Sequence, residues 1–385
     1  MTAGLDPDGT DQQFPVITDE GLDALRRMIG IKITDTVEPW CYEVTRDNVR
    51  HYAHGIGDDN PLWCDPEYAA GSSHGQLVAP PSFVFPLNRV LSGYVGGLPG
   101  VHAMWSGADI TWHRPFLLGD VIHCDAYLKD LVEHQTRFAG RAIQQIYHVD
   151  YYNQRDEHLV SADSWCFRTE RDTARQQGTK YEGAMDDPDP YGPEDLAQVW
   201  ARYEAETIRG ADALYIEDVS VGNKLPIMVK GPMTVTGFIA FAQGWGGLYI
   251  RANRLAWKQL KKHPGLGIPD RFGIPDVPER VHWDDNLARL VGTPRAYDYG
   301  PERCSWLIHQ LTDWMGDSGF LVNHRCEIRR HNPIGDILTI QATVTGIRAD
   351  DQGRPCAEVE QVACNQDGEL SARGTGLVRL PSRAR

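Results

Sequence analysis

One short turn occurs twice in this chain, and it limits what the chain can fold into. Trp112-His113-Arg114-Pro115-Phe116-Leu117-Leu118-Gly119-Asp120 is echoed by Arg330-His331-Asn332-Pro333-Ile334-Gly335-Asp336, the first copy carrying two more residues between its proline and Gly-Asp. Asp65 stands 55 residues before Asp120, and Asp284 stands 52 before Asp336. The same turn chemistry at nearly the same spacing marks an internal duplication. Around the first turn, Ala108–Trp112, Asp120–Val132, Arg137–Asn153 and His158–Arg168 are rich in β-branched and aromatic residues and are separated by turn signals, so they predict strands. Strands are predicted again from Leu321 to Leu380. Helical patterns come first in each copy: Val44–Ile56 and Ser82–Leu91, then Met233–Ala242 and Cys304–Trp314. Helices followed by a run of antiparallel strands is an α+β pattern.

The rest of the chain is read from local signals. Asp19–Ile31 predicts a helix, Trp40–Val44 a short strand, Ile216–Leu225 a strand and turn, and Pro193–Ile208 an exposed helix. Glu170–Pro193 is polar and contains Asp186-Asp187-Pro188-Asp189-Pro190, which predicts a linker. The resulting division is a tail and helix over 1–30, a first unit over 31–170, a linker and helix over 171–210, and a second unit over 211–385. Composition narrows the partners. With 38 basic against 53 acidic residues and a formal charge of −15, nucleic acid is disfavoured and no polybasic membrane anchor is present. Met1–Glu20 is polar and acidic rather than signal-like, and no apolar run approaches a membrane span. The eight cysteines form no C-x-x-C pair and read as reduced thiols of a cytoplasmic protein, with no metal site implied.

The stretch Gly57-Asp58-Asp59-Asn60-Pro61-Leu62-Trp63-Cys64-Asp65, followed by Val78-Ala79-Pro80-Pro81, is a polar turn between two helices. Thr45 is placed to cap the first helix, and Asp65 with Pro66 at N1 to open the second. This turn resembles the signature loop of the MaoC-like (R)-specific enoyl-CoA hydratase/dehydratase family, G-D-x-N-P-[LI]-H-x-D. Asp58, Asn60, Pro61, Leu62 and Asp65 match it, and Trp63 stands at the histidine position. The form with an aromatic there, followed by Val-Ala-Pro-Pro, is similar to the family's N-terminal dehydratase-like domain. The second copy has Phe241-Ala242-Gln243-Gly244-Trp245-Gly246-Gly247 in place of the Gly-Asp, and an insertion over Leu248–Arg280 follows. Val281-His282-Trp283-Asp284-Asp285 then resembles the I-H-x-D half of the motif. The resemblance implies a tandem double hot dog, each unit a long helix wrapped by a curled antiparallel sheet.

The resemblance also implies chemistry. Hydrating an enoyl thioester requires groups that activate water and protonate the α-carbon, and donors for the enolate oxygen. In the family an Asp/His pair positions the water, and a glycine N–H at a helix start serves the thioester oxygen. The first copy keeps Asp58 and Asn60 but has Trp63 for the histidine and Pro81, which has no N–H, at the donor position. It is expected to be non-catalytic and to shape the acyl pocket. The second copy has His282 and, eighteen residues on, Gly300; Val277 stands where the aspartate is expected, so Asp298 or Asp276 is expected to substitute. The implied function is an acyl-CoA hydratase/dehydratase with His282 as acid/base and the Gly300 N–H as oxyanion donor. Asp298 and Asp58 complete the expected catalytic set, and Asn60, Trp63, Trp283, Tyr297, Tyr299 and Arg330 the substrate-binding set. Coenzyme A is part of the substrate and no separate cofactor is implied. Two alternatives stand beside it: a binding or structural subunit that partners a single-hot-dog hydratase, and another lyase using Tyr297, Asp298 or Tyr299. The basic string Arg251, Arg254, Lys258, Lys261, Lys262 reads either as a solvated face or as a partner for coenzyme A phosphates. A homodimer or a hetero-oligomer with another hot-dog protein is expected.

Overall fold

The computed structural model describes residues 15–33, 38–136, 140–170 and 187–383. The tail over 1–14 and most of the predicted linker, 171–186, lie outside the described residues. The helices are α1 (Asp19–Arg26), α2 (Arg46–Gly55), α3 (Pro61–Cys64), α4 (Pro66–Gly71), α5 (Val84–Leu87), α6 (Pro193–Glu204), α7 (Val235–Trp245), α8 (Asn253–Lys262), α9 (Asp285–Leu290) and α10 (Gly300–Met315). The strands are β1 (His102–Trp112), β2 (His123–Thr136), β3 (Gly140–Tyr152), β4 (His158–Thr169), β5 (Met228–Lys230), β6 (Ile268–Pro269), β7 (Pro275–Asp276), β8 (Phe320–Ile328), β9 (Leu338–Ala349), β10 (Pro355–Cys364) and β11 (Leu370–Arg379). Nine of them form one sheet in the order β2-β3-β4-β1-β8-β11-β10-β9-β5, and β6 and β7 form a small ladder of their own. The two copies meet edge to edge where β1 pairs antiparallel with β8, from Gly107 opposite Glu327 to Thr111 opposite Asn323. Asn323 clasps this seam by donating to Asp109 Oδ1 at 2.8 Å, Ile110 O at 3.1 Å and Thr111 Oγ1 at 3.0 Å.

Side-chain periodicity explains how the sheet wraps its helix. In β9, Leu338, Ile340, Ala342 and Val344 are buried while their neighbours are not, the period of two that turns alternate residues to one face. That face packs on α10, where every residue from Pro301 to Met315 is buried. Polar atoms on this helix are satisfied from the sheet: Gln361 donates to Leu307 O at 2.8 Å, and Gln310 to Ile340 O at 3.0 Å. The first copy has a much shorter counterpart, a 3₁₀ turn over Pro81–Phe83 followed by α5. The predicted helix over Ser82–Leu91 stops at Leu87 because Pro86 interrupts the pattern and Asn88 is extended, with φ −152°.

The duplication is visible in the main chain. In the first copy Val44 N donates to Asp120 O at 2.9 Å and Gly119 N to Val44 O at 2.9 Å; in the second, Met233 N donates to Asp336 O at 2.8 Å and Gly335 N to Met233 O at 2.9 Å. Gly119 and Gly335 have φ of 85° and 90°, a backbone that glycine adopts without strain, which explains why the Gly-Asp pair recurs. Thr45 and Thr234 cap α2 and α7 through the same contact to the third following amide. The two capped helices cross closely. A Cβ at Gly244 would lie 2.6 Å from His51 O, and one at Gly55 would lie 2.9 Å from Ala240 O. Three local expectations are corrected. α1 ends at Arg26, not Ile31. Trp40–Val44 contributes one bridge, Glu43 to Val121, rather than a strand. Ile216–Leu225 is a 3₁₀ turn over Ile216–Asp218 with a bridge from Lys224 to Thr343.

Candidate active site

His282 ends a 3₁₀ turn over Pro278–His282, at the end of the insertion that follows α7. Its Nδ1 lies 2.7 Å from Tyr297 O, and its ring stacks on Tyr299 with centroids 3.7 Å apart. A carbonyl only accepts, so Nδ1 carries the proton and Nε2 keeps its lone pair. The residue is half-buried, and its dense surroundings depress its pKa to about 4, burial first and the Arg303 cation also lowering it, against the Tyr297 carbonyl. The imidazole is therefore neutral near pH 7. Tyr299 is the N-cap of α10, so the ring that His282 stacks on belongs to the residue before Gly300, the first of that helix. The first amides of a helix have no intrahelical acceptor and lie at the positive end of the dipole. Trp105 of the first copy covers Gly300 and is fixed by donating to Leu91 O at 2.9 Å.

Glu279 supplies a carboxylate that the sequence reasoning missed. It lies one turn before His282 and is buried, accepting from Leu248 N at 3.1 and 3.0 Å and from Tyr249 N at 2.8 Å. Burial raises its pKa, while those amides and the Arg89 cation lower it. Burial first, and then Glu279, hold the Tyr299 hydroxyl well above the ordinary phenol range. The i, i+3 spacing of Glu279 and His282 was the available signal, since one 3₁₀ turn puts both on one face.

Asp298 does not serve as the partner of His282. Its carboxylate accepts from Arg303 Nη2, from Arg303 Nε at 2.7 Å, from Asn332 N at 3.1 Å and from Asn332 Nδ2 at 2.8 Å, all buried. It braces the start of α10. Asp276 lies in β7 and pairs loosely with Arg280, at 3.7 Å. Arg330 points to Glu369, at 2.7 Å. Tyr297 contributes its carbonyl to His282 and its ring to contacts with His282 and His331. Trp283 is half-buried at the C-cap of the 3₁₀ turn.

The loop of the first copy forms a second, separate cluster. Asp58 Oδ1 accepts from Asn60 N at 3.0 Å, and Asn60 caps α3 by accepting from Leu62 N at 3.0 Å. Asp58 Oδ1 also lies 3.4 Å from His309 Nε2, which is 3.2 Å from Asp313 Oδ2, while Lys230 Nζ donates to His309 Nδ1 at 3.1 Å. All four side chains are buried. His309, Asp313 and Lys230 belong to the second copy, so the aspartate whose own loop carries Trp63 meets a histidine from across the pseudo-symmetric crossing. Burial lowers the His309 pKa to about 4 and raises that of Asp313 to about 7; it also raises that of Asp58 and lowers that of Lys230. Donor atoms of Asp58, His309 and Asp313 converge closely enough to hold a metal ion. Lys230 Nζ, bonded to His309 Nδ1, leaves His309 Nε2 as the protonated nitrogen with no lone pair to give, so the arrangement does not fit a metal. His309 is nine residues beyond Gly300, about 13 Å along the helix, so Asp58 and His282 are not brought together. Beside this cluster Asn60, Trp63, Pro81, Trp112, Thr312 and Phe320 line a mostly apolar cleft between the copies.

Comparison with known proteins agrees with this architecture. Residues 28–162 match the family described as FAS1-like, dehydratase domain region. Over 126 residues the chain is 28% identical to a UPF0336 protein of Streptomyces avermitilis, covering 31% of this chain and 81% of that one. Across its length it superposes on a MaoC-like dehydratase with a TM-score of 0.62, at 19% identity, covering 93% of this chain and all of the other. The fold is that of the MaoC-like hot-dog proteins. A Mycobacterium tuberculosis protein described as having a double hotdog fold superposes with a TM-score of 0.50 at 11% identity, over 89% of this chain and 96% of that one. The MaoC-like scaffold accounts for the α+β class and for the one sheet shared by two copies. No helix among the described residues is long and apolar enough to cross a membrane.

Proposed function

We propose that the chain is a thioester hydratase/dehydratase working at the second copy, with His282 as the acid/base group and the Gly300 N–H as the donor to the thioester oxygen. The observation that carries this is the neutral imidazole held by Tyr297 O beside the start of α10. In the hydration direction Nε2 takes a proton from water as the water oxygen bonds to the β-carbon. Charge builds on the thioester oxygen, where an amide at the helix start stabilises it. The imidazolium then returns its proton to the α-carbon, and dehydration is the reverse. Tyr299 positions the imidazole by stacking on it, with Glu279 beside Tyr299, and coenzyme A enters as part of the substrate. The reaction is redox-neutral.

The test is a panel of 2-enoyl-CoA and 3-hydroxyacyl-CoA thioesters followed by mass for gain or loss of water. His282→Ala and His282→Gln are expected to lose ~10²–10⁴-fold in turnover with the fold retained. Turnover unchanged in both variants refutes the assignment. A second reading, a thioester-binding subunit of a larger hydratase, is favoured by the Trp105 ring lying against Gly300 and by Val277 at the aspartate position. Purification with a partner that alone restores turnover supports it.

A further inference from the structure

The insertion that separates α7 from His282 is rooted in the candidate site and carries a basic surface on an acidic chain. Glu279 ties its first residues, Leu248 and Tyr249, to its last turn, and Arg280 donates to Ile268 O at 3.3 Å and Pro269 O at 3.4 Å. Its base is thus fixed within three residues of His282. From Leu248 to Pro269 there is no acidic residue, and Arg251, Arg254, Lys258, Lys261 and Lys262 are all basic. Removing these five charges from the formal −15 leaves −20 on the remainder, so an anion is repelled by the body and attracted here. α8 buries none of its residues. Arg254, Trp257, Lys258 and Lys261 follow an i, i+3, i+4, i+7 spacing and share one face. Trp257 is 57% exposed, and the Lys261 ammonium stands 5.1 Å from its ring centroid. A solvated basic face explains the charges but not an exposed indole set among them.

We propose that this flap is the binding site for the adenosine phosphate end of a coenzyme A thioester. Adenine stacks on the open face of Trp257, and Arg254, Lys258 and Lys261 pair with the phosphates. A flat base with clustered phosphates matches an indole ringed by cations. The acidic surface of a carrier protein offers spread carboxylates and no ring to stack. The proposal rests on the reading of His282 as the reacting end, because the flap is rooted there, but its binding arm is independent of turnover.

The probe is adenosine 3′,5′-bisphosphate, which has no thioester, titrated by calorimetry into the full chain. The wild type and His282→Ala are expected to bind it equally, with affinity falling as salt rises. The triple variant R254E/K258E/K261E and, separately, Trp257→Ala should bind at least ~tenfold more weakly, each lost contact being charge-assisted or aromatic. These residues are exposed, so thermal melts should overlay. With enoyl-CoA the triple variant should raise KM at least ~tenfold at unchanged kcat, while the matching enoyl-pantetheine is unaffected. Equal bisphosphate binding by wild type and triple variant overturns the proposal, as does no binding by the wild type. Sensitivity to charge reversal confined to a carrier-protein thioester also overturns it. Flap-dependent nucleotide binding without any turnover leaves this site standing and removes the hydratase reading; turnover that ignores the flap does the reverse.

Discussion

Replacing Gly300 with alanine tests whether the start of α10 and Trp105 form one tightly packed unit. A Cβ built at Gly300 lies 2.5 Å from Trp105 Cε3, 3.3 Å from Cδ2 and 3.4 Å from Cζ3. The ring cannot swing aside freely, because its Nε1 donates to Leu91 O at 2.9 Å and its edge packs on Phe85 with centroids 6.0 Å apart. Either the indole or the helix start must move, and such overpacking costs about 1–3 kcal/mol. Alanine keeps the backbone N–H, so any loss of turnover reflects displacement of that donor rather than its removal. A donor shifted by a fraction of an ångström should cost kcat ~10-fold or more and change KM little. Trp105→Leu clears the space at the expense of a cavity. The double variant Gly300→Ala/Trp105→Leu should therefore recover part of what the alanine removed, a coupling of about 1–2 kcal/mol in urea melts. Strict additivity of the two changes, in both stability and kcat, would refute the reasoning.

Three further outcomes are expected. Because the His282 pKa is lowered to about 4, kcat/KM should stay level as pH falls from 8 to 5 and drop only as pH nears 4; a midpoint near 6.5 contradicts a neutral, enclosed base. His324 is fully buried, 3.0 Å from Gln361 Oε1, with its pKa lowered to about 4 by burial. The unfolded chain takes up that proton first, so the stability is complete above about pH 6.5 and is lost as pH falls toward 4, about 2 kcal/mol of it between pH 7 and 5. His324→Gln should remove that part of the pH dependence in urea melts. Asp298→Asn should lower Tm, since Arg303 loses its buried partner, about 3–5 kcal/mol for a broken pair, and any loss of kcat should accompany that loss of stability; a collapse of kcat at unaltered Tm would return Asp298 to the chemistry.

What could be read from the sequence was whatever the backbone itself demands. Gly119 and Gly335 need a positive φ, so the repeated Gly-Asp turn was visible, and with it the duplicated architecture. Asp65 and Asp284 cap α4 and α9 as their position before each helix suggests. His282 and Gly300 were paired by the eighteen-residue interval that the family resemblance implies; in the structure His282 stacks on Tyr299, the residue before Gly300. Contacts made across the crossing of α2 and α7 could not be read. Asp58 and His309 are 251 residues apart, one in the turn after α2 and the other inside α10. No local pattern encodes that meeting. The place five residues before His282 holds Val277, and the buried carboxylate nearby in sequence, Glu279, is turned to the Leu248 and Tyr249 amides across the insertion.

The two copies are held together by unlike devices at matching places, and this bears on which of them can do chemistry. Where the second copy's loop has no aspartate, the first copy's buried Arg89 donates to Trp245 O at 3.1 Å and Gly246 O at 3.4 Å, so carbonyls hold the guanidinium. Where the first copy's loop keeps Asp58, the second copy answers with His309 and Lys230, and Lys230 also reaches Gly57 O at 3.5 Å. A buried carboxylate needs a cation or a proton, and here it has Lys230 beside it and a carboxyl neighbour, Asp313, with its pKa raised to about 7. That side of the crossing spends its charges on one another. On the other side the Arg89 charge is taken up by carbonyls, Glu279 is held by two amides, and His282 Nε2 keeps its lone pair. The proposed chemistry draws on the His282 Nε2 lone pair, whereas His309 Nε2 faces both Asp58 and Asp313.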